Sequence, residues 1–218
     1  MDKELLISGL ERLGILVDER IMRSFTVYLE EIMLFNPALK LVGDKDPDEI
    51  IIKHILDSAA AYPIFKEETK TGDTIADLGS GAGFPGVVLA ILFPDRHFVL
   101  VERMKRRSQF LQGVLLRIGL KNAEVEERDL KTVRSAFPAV TCRAFHPVFS
   151  FAEDVMHIIQ GGGALLLYKG PRNNALSELS VFRGEGYEAD ERLVELKVPY
   201  LDEARTMVVL RNIRKNED

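Results

Sequence analysis

Between Thr74 and Gly86 the chain reads TIADLGSGAGFPG, so a carboxylate, Asp77, lies near the end of a short apolar run and Gly79, Gly81 and Gly83 follow at every second position. The apolar run, the glycines and the apolar positions Val87, Val88 and Ile91 predict strand, turn and helix in that order, with Pro85 in the first helical turn. Glycines carry no β-carbon, so a ligand can approach the backbone of such a turn. That suits a nucleotide-like molecule. A second strand is predicted over His97–Val101, and an acid, Glu102, closes it. A carboxylate there can accept hydrogen bonds from both ribose hydroxyls of a nucleoside. Gly81, Gly83 and Gly86 also satisfy the dinucleotide spacing G-x-G-x-x-G, which alone is a weak signal.

A dinucleotide turn should place its first glycine directly after the strand. Here the pattern touching the strand is D-x-G-x-G-x-G, starting at Asp77, which resembles the first motif of class I S-adenosylmethionine-dependent methyltransferases. In that motif the glycines face the methionine end of the cofactor and the carboxylate steadies its ammonium. NAD has the same need for Glu102, so an NAD-dependent oxidoreductase remains the alternative at this level, as does a methyltransferase for another RNA or a small molecule.

The elements that position these groups follow from periodicity. The chain has 218 residues, a net charge of −5 and one cysteine, with no apolar run of membrane length and no basic-then-apolar leader. A soluble, cytoplasmic protein is expected, without a membrane partner and monomeric. Its acidity argues against indiscriminate nucleic-acid binding, so an RNA partner must meet a local basic patch. Residues 1–70 carry helical signals only: Leu5, Leu6, Leu10 and Leu13, then Ile21, Phe25, Leu29 and Ile32 behind a cap at Asp18, then a helix start at Asp46-Pro47-Asp48-Glu49. This third helix is expected to run to about Tyr62 and stop at Pro63, with His54 and Asp57 on one face. From Thr74 strands and helices alternate, which predicts an α/β domain over 71–218 behind an N-terminal helical cap over 1–70. Further strands are expected at Ala123–Glu126, Ala139–Cys142 and, after a turn at Gly161–Gly163, Ala164–Tyr168. Helices are expected at Arg103–Leu120, Pro147–Ile159 and Asn173–Phe182, and a final hairpin at Arg192–Val198 and Thr206–Asn212.

KHILDS at Lys53–Ser58, DLGSGAGFPG at Asp77–Gly86, Glu102, CRAF at Cys142–Phe145 and YKG at Tyr168–Gly170 together resemble the bacterial 16S ribosomal RNA guanine-N7 methyltransferase family (glucose-inhibited division protein B, RsmG). The resemblance runs over nearly the whole chain. It implies a Rossmann-like, seven-stranded, mostly parallel sheet with a helical cap. It also implies S-adenosyl-L-methionine as cofactor, and methylation of one guanosine in the decoding-region loop of 16S rRNA, on the RNA or the small ribosomal subunit. By position, Asp77, Gly79, Gly81, Gly83, Phe84, Glu102, Asp129, Leu130 and Arg143 are the cofactor-binding candidates. His54, Asp57 and Lys169 are the catalytic candidates, the first two as a pocket for the base and Lys169 facing the RNA. Two positions depart from the family pattern: Lys40 replaces an amide in the loop Phe35–Val42, and Cys142 stands where serine or alanine is usual.

Cys142 invites comparison with thiolate-using pyrimidine methyltransferases, but a lone cysteine on an apolar strand reads as packing. His54 and Asp57 could supply two metal ligands, yet no third has recognisable spacing, so no metal is expected. Arg103, Lys105, Arg106 and Arg107 crowd a predicted helix start, where the dipole disfavours positive charge. Phosphate contact by Arg103, Lys105 and Arg106, extended by Lys169 and Arg172, accounts for them.

Overall fold

The computed structural model of the protein describes residues 2–216. Capping chemistry sets the N-terminal helices. Asp2 accepts the Glu4 and Leu5 amides at the start of α1 (Lys3–Arg12), and Asp18 accepts the Ile21 amide at the start of α2 (Glu19–Leu39). Asp46 caps α3 (Pro47–Ile50). Beyond α3 the structure departs from expectation. Ile51–Leu56 is π-helical, and α4 (Asp57–Ala59) ends short of Tyr62. Pro63 does not stop a helix; it sits in the first turn of α5 (Tyr62–Glu68), where its missing N–H costs nothing.

Strands β1 (Thr74–Leu78), β2 (His97–Val101) and β3 (Ala123–Glu126) form where alternation places them. β4 (Phe137–Arg143) and β5 (Ile159–Lys169) are longer than expected. Gly161–Gly163 is no turn ahead of β5. It lies within the strand, where Phe137 pairs with Ile159 and Ala139 with Ala164, so extra residues bulge out of β5. The helix expected over Pro147–Ile159 is a 3₁₀ turn, Val148–Ser150, followed by the short α8 (Ala152–Met156). After α9 (Arg172–Gly184), β6 (Tyr187–Leu196) and β7 (Arg205–Lys215) form the antiparallel hairpin.

The seven strands are ordered β3-β2-β1-β4-β5-β7-β6, parallel from β3 to β5, with β7 antiparallel to both neighbours. One face packs against the N-terminal helices, α6 (Gly86–Leu92) and α7 (Lys105–Ile118) in a continuous core that includes Phe25, Ile55, Ile75, Val88 and Leu111. The other face packs against α8 and α9 through residues such as Val140, Val155 and Leu179. The N-terminal helices therefore have no core of their own. Strand order reverses between β1 and β4, and a crevice opens at the carboxyl ends of such a pair.

At the base of that crevice Gly86 packs directly on β1 and β2. A β-carbon there would lie 2.3 Å from Leu100 Cδ2 and 2.6 Å from Asp77 Oδ2. Gly86→Ala is expected to destabilise the protein by about 1–3 kcal/mol through overpacking. Leu100→Val in the same chain should recover part of the loss, read as non-additive midpoints in urea. Additive effects would show that the clash relaxes elsewhere.

Candidate functional site

The turn after β1 is built by its neighbours. The Gly79 amide donates to Val101 O at 2.8 Å, which ties the turn to the end of β2. Gly79 is left-handed at φ +67°, and a β-carbon would lie 2.7 Å from the Phe145 ring. Gly83, at φ +103°, would place one 2.6 Å from Val87 and 2.7 Å from the Tyr28 hydroxyl. Tyr28 in turn donates to Ala82 O at 2.8 Å, so α2 holds the turn from outside. The glycine at 83 thus answers to protein packing, whereas Gly81 has space: the nearest groups to its β-position are 3.7 Å and more away.

Glu102 joins the two strand ends. One carboxylate oxygen accepts the Gly81 amide at 2.9 Å, and the other accepts the Met104 amide at 2.7 Å. Each oxygen keeps a further lone pair for a ligand hydroxyl. Asp77 is fully buried, with Oδ2 accepting the Gly86 amide at 3.0 Å and Oδ1 without a partner. Burial pushes its pKa up to about 7, against the nearby Ser80 hydroxyl, the hydrogen bond from Gly86 and the charge of Arg143.

A cleft of about 360 Å³ opens over this turn, within the usual range for small-molecule sites. Gly79, Glu102, Asp129 and Leu130 line it together with Arg103, Arg107 and Phe145. Gly81 lies just outside that lining, its β-position 4.0 Å from Arg107, and Asp77, Gly83, Phe84 and Arg143 lie outside it as well. Phe84 is buried, its centroid 5.3 Å from Tyr28 and 5.1 Å from His54, with the Arg143 guanidinium 5.2 Å over its ring. The aromatic side chains that line the cleft are Phe145, His146 and Phe151. The cleft fits S-adenosylmethionine by its donors and acceptors: free lone pairs on Glu102, open space at Gly81, and the buried Nε of Arg107, which has no partner.

His54 and Asp57 meet, as expected, but around Arg143. Arg143 donates to Asp57 Oδ2 at 2.7 Å, to Lys53 O at 3.0 Å and to His54 Nδ1 at 2.8 Å. A guanidinium only donates, so Nδ1 must accept and the His54 proton sits on Nε2, 2.9 Å from Asp44 Oδ2. Burial and the charge of Arg143 push the His54 pKa below its ordinary value, so the ring is neutral. Against partial burial, hydrogen bonds from Lys53 and His54 hold the Asp44 carboxyl below the usual range. Arg205 Nε binds the second Asp57 oxygen at 3.1 Å. Both oxygens of Asp57 are engaged.

Lys169 is mostly buried and paired with Glu178 at 2.8 Å, on the α9 side of the sheet, and so is not free at the surface. Arg103, Lys105, Arg106 and Arg172 are exposed. Cys142 is buried, and burial pushes its thiol up to about 12, which leaves it unreactive. Asp44, Arg107, Phe145 and Arg205 are the site residues missed from the sequence candidates. Arg107 sat in the basic cluster and Phe145 in the CRAF motif, so each left a trace; Arg205 left none.

A sequence profile of the family described as rRNA small subunit methyltransferase G matches residues 21–207. The chain is 32% identical to the protein of that name from Treponema denticola, with 94% of this chain and 93% of the relative covered. It is 35% identical to that from Stutzerimonas stutzeri, with 95% and 94% covered. In fold it is similar to precorrin-6y C5,15-methyltransferase from Geobacter metallireducens (TM-score 0.53, 13% identity, 80% of this chain and 92% of that one). It is also similar to an rRNA methylase from Streptococcus thermophilus (TM-score 0.50, 14% identity, 72% and 95%). The sheet, with its helices on both faces, is thus the class I S-adenosylmethionine-dependent methyltransferase fold. With the family profile spanning most of its length and relatives aligned nearly end to end, the chain belongs to the rRNA small subunit methyltransferase G family.

Proposed function

We propose that the β1/β4 cleft holds S-adenosylmethionine and presents its methyl group to N7 of a guanosine in the decoding-region loop of 16S rRNA. One observation carries this reading: a single cleft joins the glycine turn after β1 to a ribose-ready Glu102 after β2, in a chain of this family. Gly79, Gly81, Glu102, Asp129 and Leu130 would hold the cofactor. Asp77, Gly83 and Phe84 would support the turn from beneath. When bound, the cofactor supplies an electrophilic methyl on a sulfonium.

The residues of this chain have an undemanding task. Guanine N7 carries a free lone pair, so the new bond forms as the carbon–sulfur bond breaks and no proton moves. Alignment alone can contribute about 7–11 kcal/mol in such a case. With both oxygens of Asp57 engaged, that carboxylate serves as a positioning group. It and His54 act through Arg143, which fixes the end of β4 beside the cleft. The purine becomes cationic as the new bond forms, in a cleft whose lining carries the carboxylates Glu102, Asp129 and Asp154 among Arg103, Arg107, Arg128 and Lys131. A reaction on ribosomal RNA would take place in the cytoplasm. Among the described residues no helix is long and apolar enough to cross a membrane. Radiolabelled methyl transfer to unmethylated small-subunit RNA and particles, followed by nucleotide mapping, tests the whole reading. Transfer to another position or to none would overturn it.

Three outcomes are expected. Glu102→Ala should weaken S-adenosylmethionine binding at least tenfold by calorimetry, since hydrogen bonds to a charged group contribute about 1.5–3 kcal/mol each. It should also lower the melting temperature by orphaning the Gly81 and Met104 amides. Unchanged affinity in the folded variant would remove Glu102 from the site.

For the reaction, 7-deazaguanosine at the target should abolish transfer while RNA binding persists. Single-turnover rates should be nearly flat between about pH 7 and 9 for want of a titrating base. Cys142→Ala should keep most activity. Methylation of the 7-deaza substrate would refute N7 as the acceptor.

The third concerns His54, whose folded pKa lies below its unfolded value near 6.5. Its neutral form contributes stability that is complete above about pH 6.5 and declines as pH falls toward the folded value. Thermal melts from pH 5 to 8 should therefore show a shallower acid decline for His54→Asn than for the unaltered protein. Parallel curves would mean that His54 titrates normally.

A further inference from the structure

We propose that the groove between the second half of α2 and α7 takes a nucleobase of the substrate RNA other than the methylated guanine, stacked on Phe35. The proposal rests on RNA being the substrate, as read above. The groove encloses about 400 Å³. Phe35, Leu39 and Phe110 form apolar walls, Arg106 and Gln109 the polar rim, and Gly113 the floor. A nucleobase has an apolar face and a hydrogen-bonding edge, and this pairing of surfaces offers a partner to each.

Three observations favour such an occupant. Phe35 is held edge-on against the buried Phe110, centroids 5.8 Å apart, yet remains 40% exposed. A large aromatic ring is thus fixed in place with apolar area left uncovered. Gly113 lies inside a 14-residue helix, where glycine weakens the helix relative to alanine. Neither packing nor backbone requires it, because a β-carbon there meets nothing within 4 Å. Its effect is to leave the groove floor bare. The third observation is charge. Arg103, Arg117 and Arg128 have acidic partners in Asp129, Glu31 and Glu126. Lys105 and Arg106 have none among the described residues, although they open α7, where the dipole repels them and no side chain caps the helix.

Phosphates flanking a docked base would neutralise both cations. The acid at the groove, Glu31, is already neutralised by Arg117 at 3.1 Å and does not repel them. An apolar protein segment would cover the same walls but leave the two cations without a role. The first turn of α7 also connects the groove to the reaction. Arg106 and Gln109 face the groove, while Met104 and Arg107, from the same stretch, line the cofactor cleft. An RNA strand crossing that turn can place one base in the groove while the target guanine reaches the cleft.

The test uses the full-length enzyme and unmethylated small ribosomal subunits. Phe35→Ala and Gly113→Leu are expected to raise KM for the subunits about tenfold, the usual scale for loss of one stacked base. Affinity for S-adenosylmethionine and the single-turnover rate at saturating subunits should stay within about twofold. Gly113→Ala, a smaller intrusion, should raise the melting temperature while still raising KM, which separates groove filling from unfolding. A benzophenone amino acid in place of Phe35 should crosslink to 16S rRNA near the methylated guanosine. Unaltered KM in the folded variants, or a crosslink to a ribosomal protein instead of RNA, would overturn the groove while leaving the methyltransferase reading intact. An unaltered enzyme that transfers no methyl to these particles would overturn that reading, and the groove assignment with it.

Discussion

The guanidinium of Arg143 is the constraint on which the site's architecture depends. A charge this far from solvent needs partners, and removing one partner of a buried pair costs about 3–5 kcal/mol. Arg143 finds its partners in consecutive turns of the N-terminal helices: Lys53 O, His54 and Asp57. Lys53 and His54 lie in the π-helical segment, Asp57 opens α4 directly after it, and π-helical turns recur at functional sites. The single bond from Arg205 to Asp57 then brings β7 into the same cluster. Helical cap, β4 and the carboxy-terminal strand are therefore registered against one another by one cation, at the strand end where the crevice opens.

Around that cation, packing has decided which groups face the ligand. Three glycines in alternation look like three places for a ligand to approach. Only Gly79 and Gly81 border open space or the cleft ring; Gly83 and Gly86 are filled by Tyr28, Val87, Leu100 and Asp77. Phe84 follows the same logic. Turned beneath the turn, it stacks with His54 and supports Arg143, and Phe145 from the end of β4 covers Gly79 in its place. The turn is thus a two-sided wall, with cofactor chemistry on one side and the cap on the other.

What the sequence made legible was local. β1, β2 and β3 have the bounds the sequence predicts: β1 and β2 as short, largely buried apolar runs ended by a turn or an acid, and β3 as an alternating strand at the sheet edge. Asp18 and Asp46 cap helices because a side-chain oxygen two or three residues from a free amide suffices. The π-helical turn was invisible, since Ile51–Leu56 has ordinary helical spacing and only the pull of Arg143, some 90 residues away, accompanies the change. By sequence Pro63 suggests a stop, yet its fixed φ equally suits the first turn of a helix, which is where it sits. Gly161–Gly163 suggests a turn, but glycine equally permits a bulge in which Gly163 passes 2.7 Å from Pro138 O at its β-position. Arg205 reaches Asp57 across 148 residues and left no local trace.

The same distinction explains why the reaction is easier to read than its substrate. A methyl acceptor with a free lone pair needs no base, so no nucleophile or proton relay had to be found in the sequence. The only thiol is buried with its pKa near 12, which is consistent with chemistry that makes no use of it. Selectivity must then come from placement. Placement is carried by groups that sequence position does not bring together: a neutral His54 oriented by Asp44, an Arg143 oriented by Asp57, and cations at the start of α7 that destabilise their own helix end. Of these, the cations at the start of α7 are a local cost with no acidic partner for Lys105 and Arg106 among the described residues, and a bound polyanion would offset it.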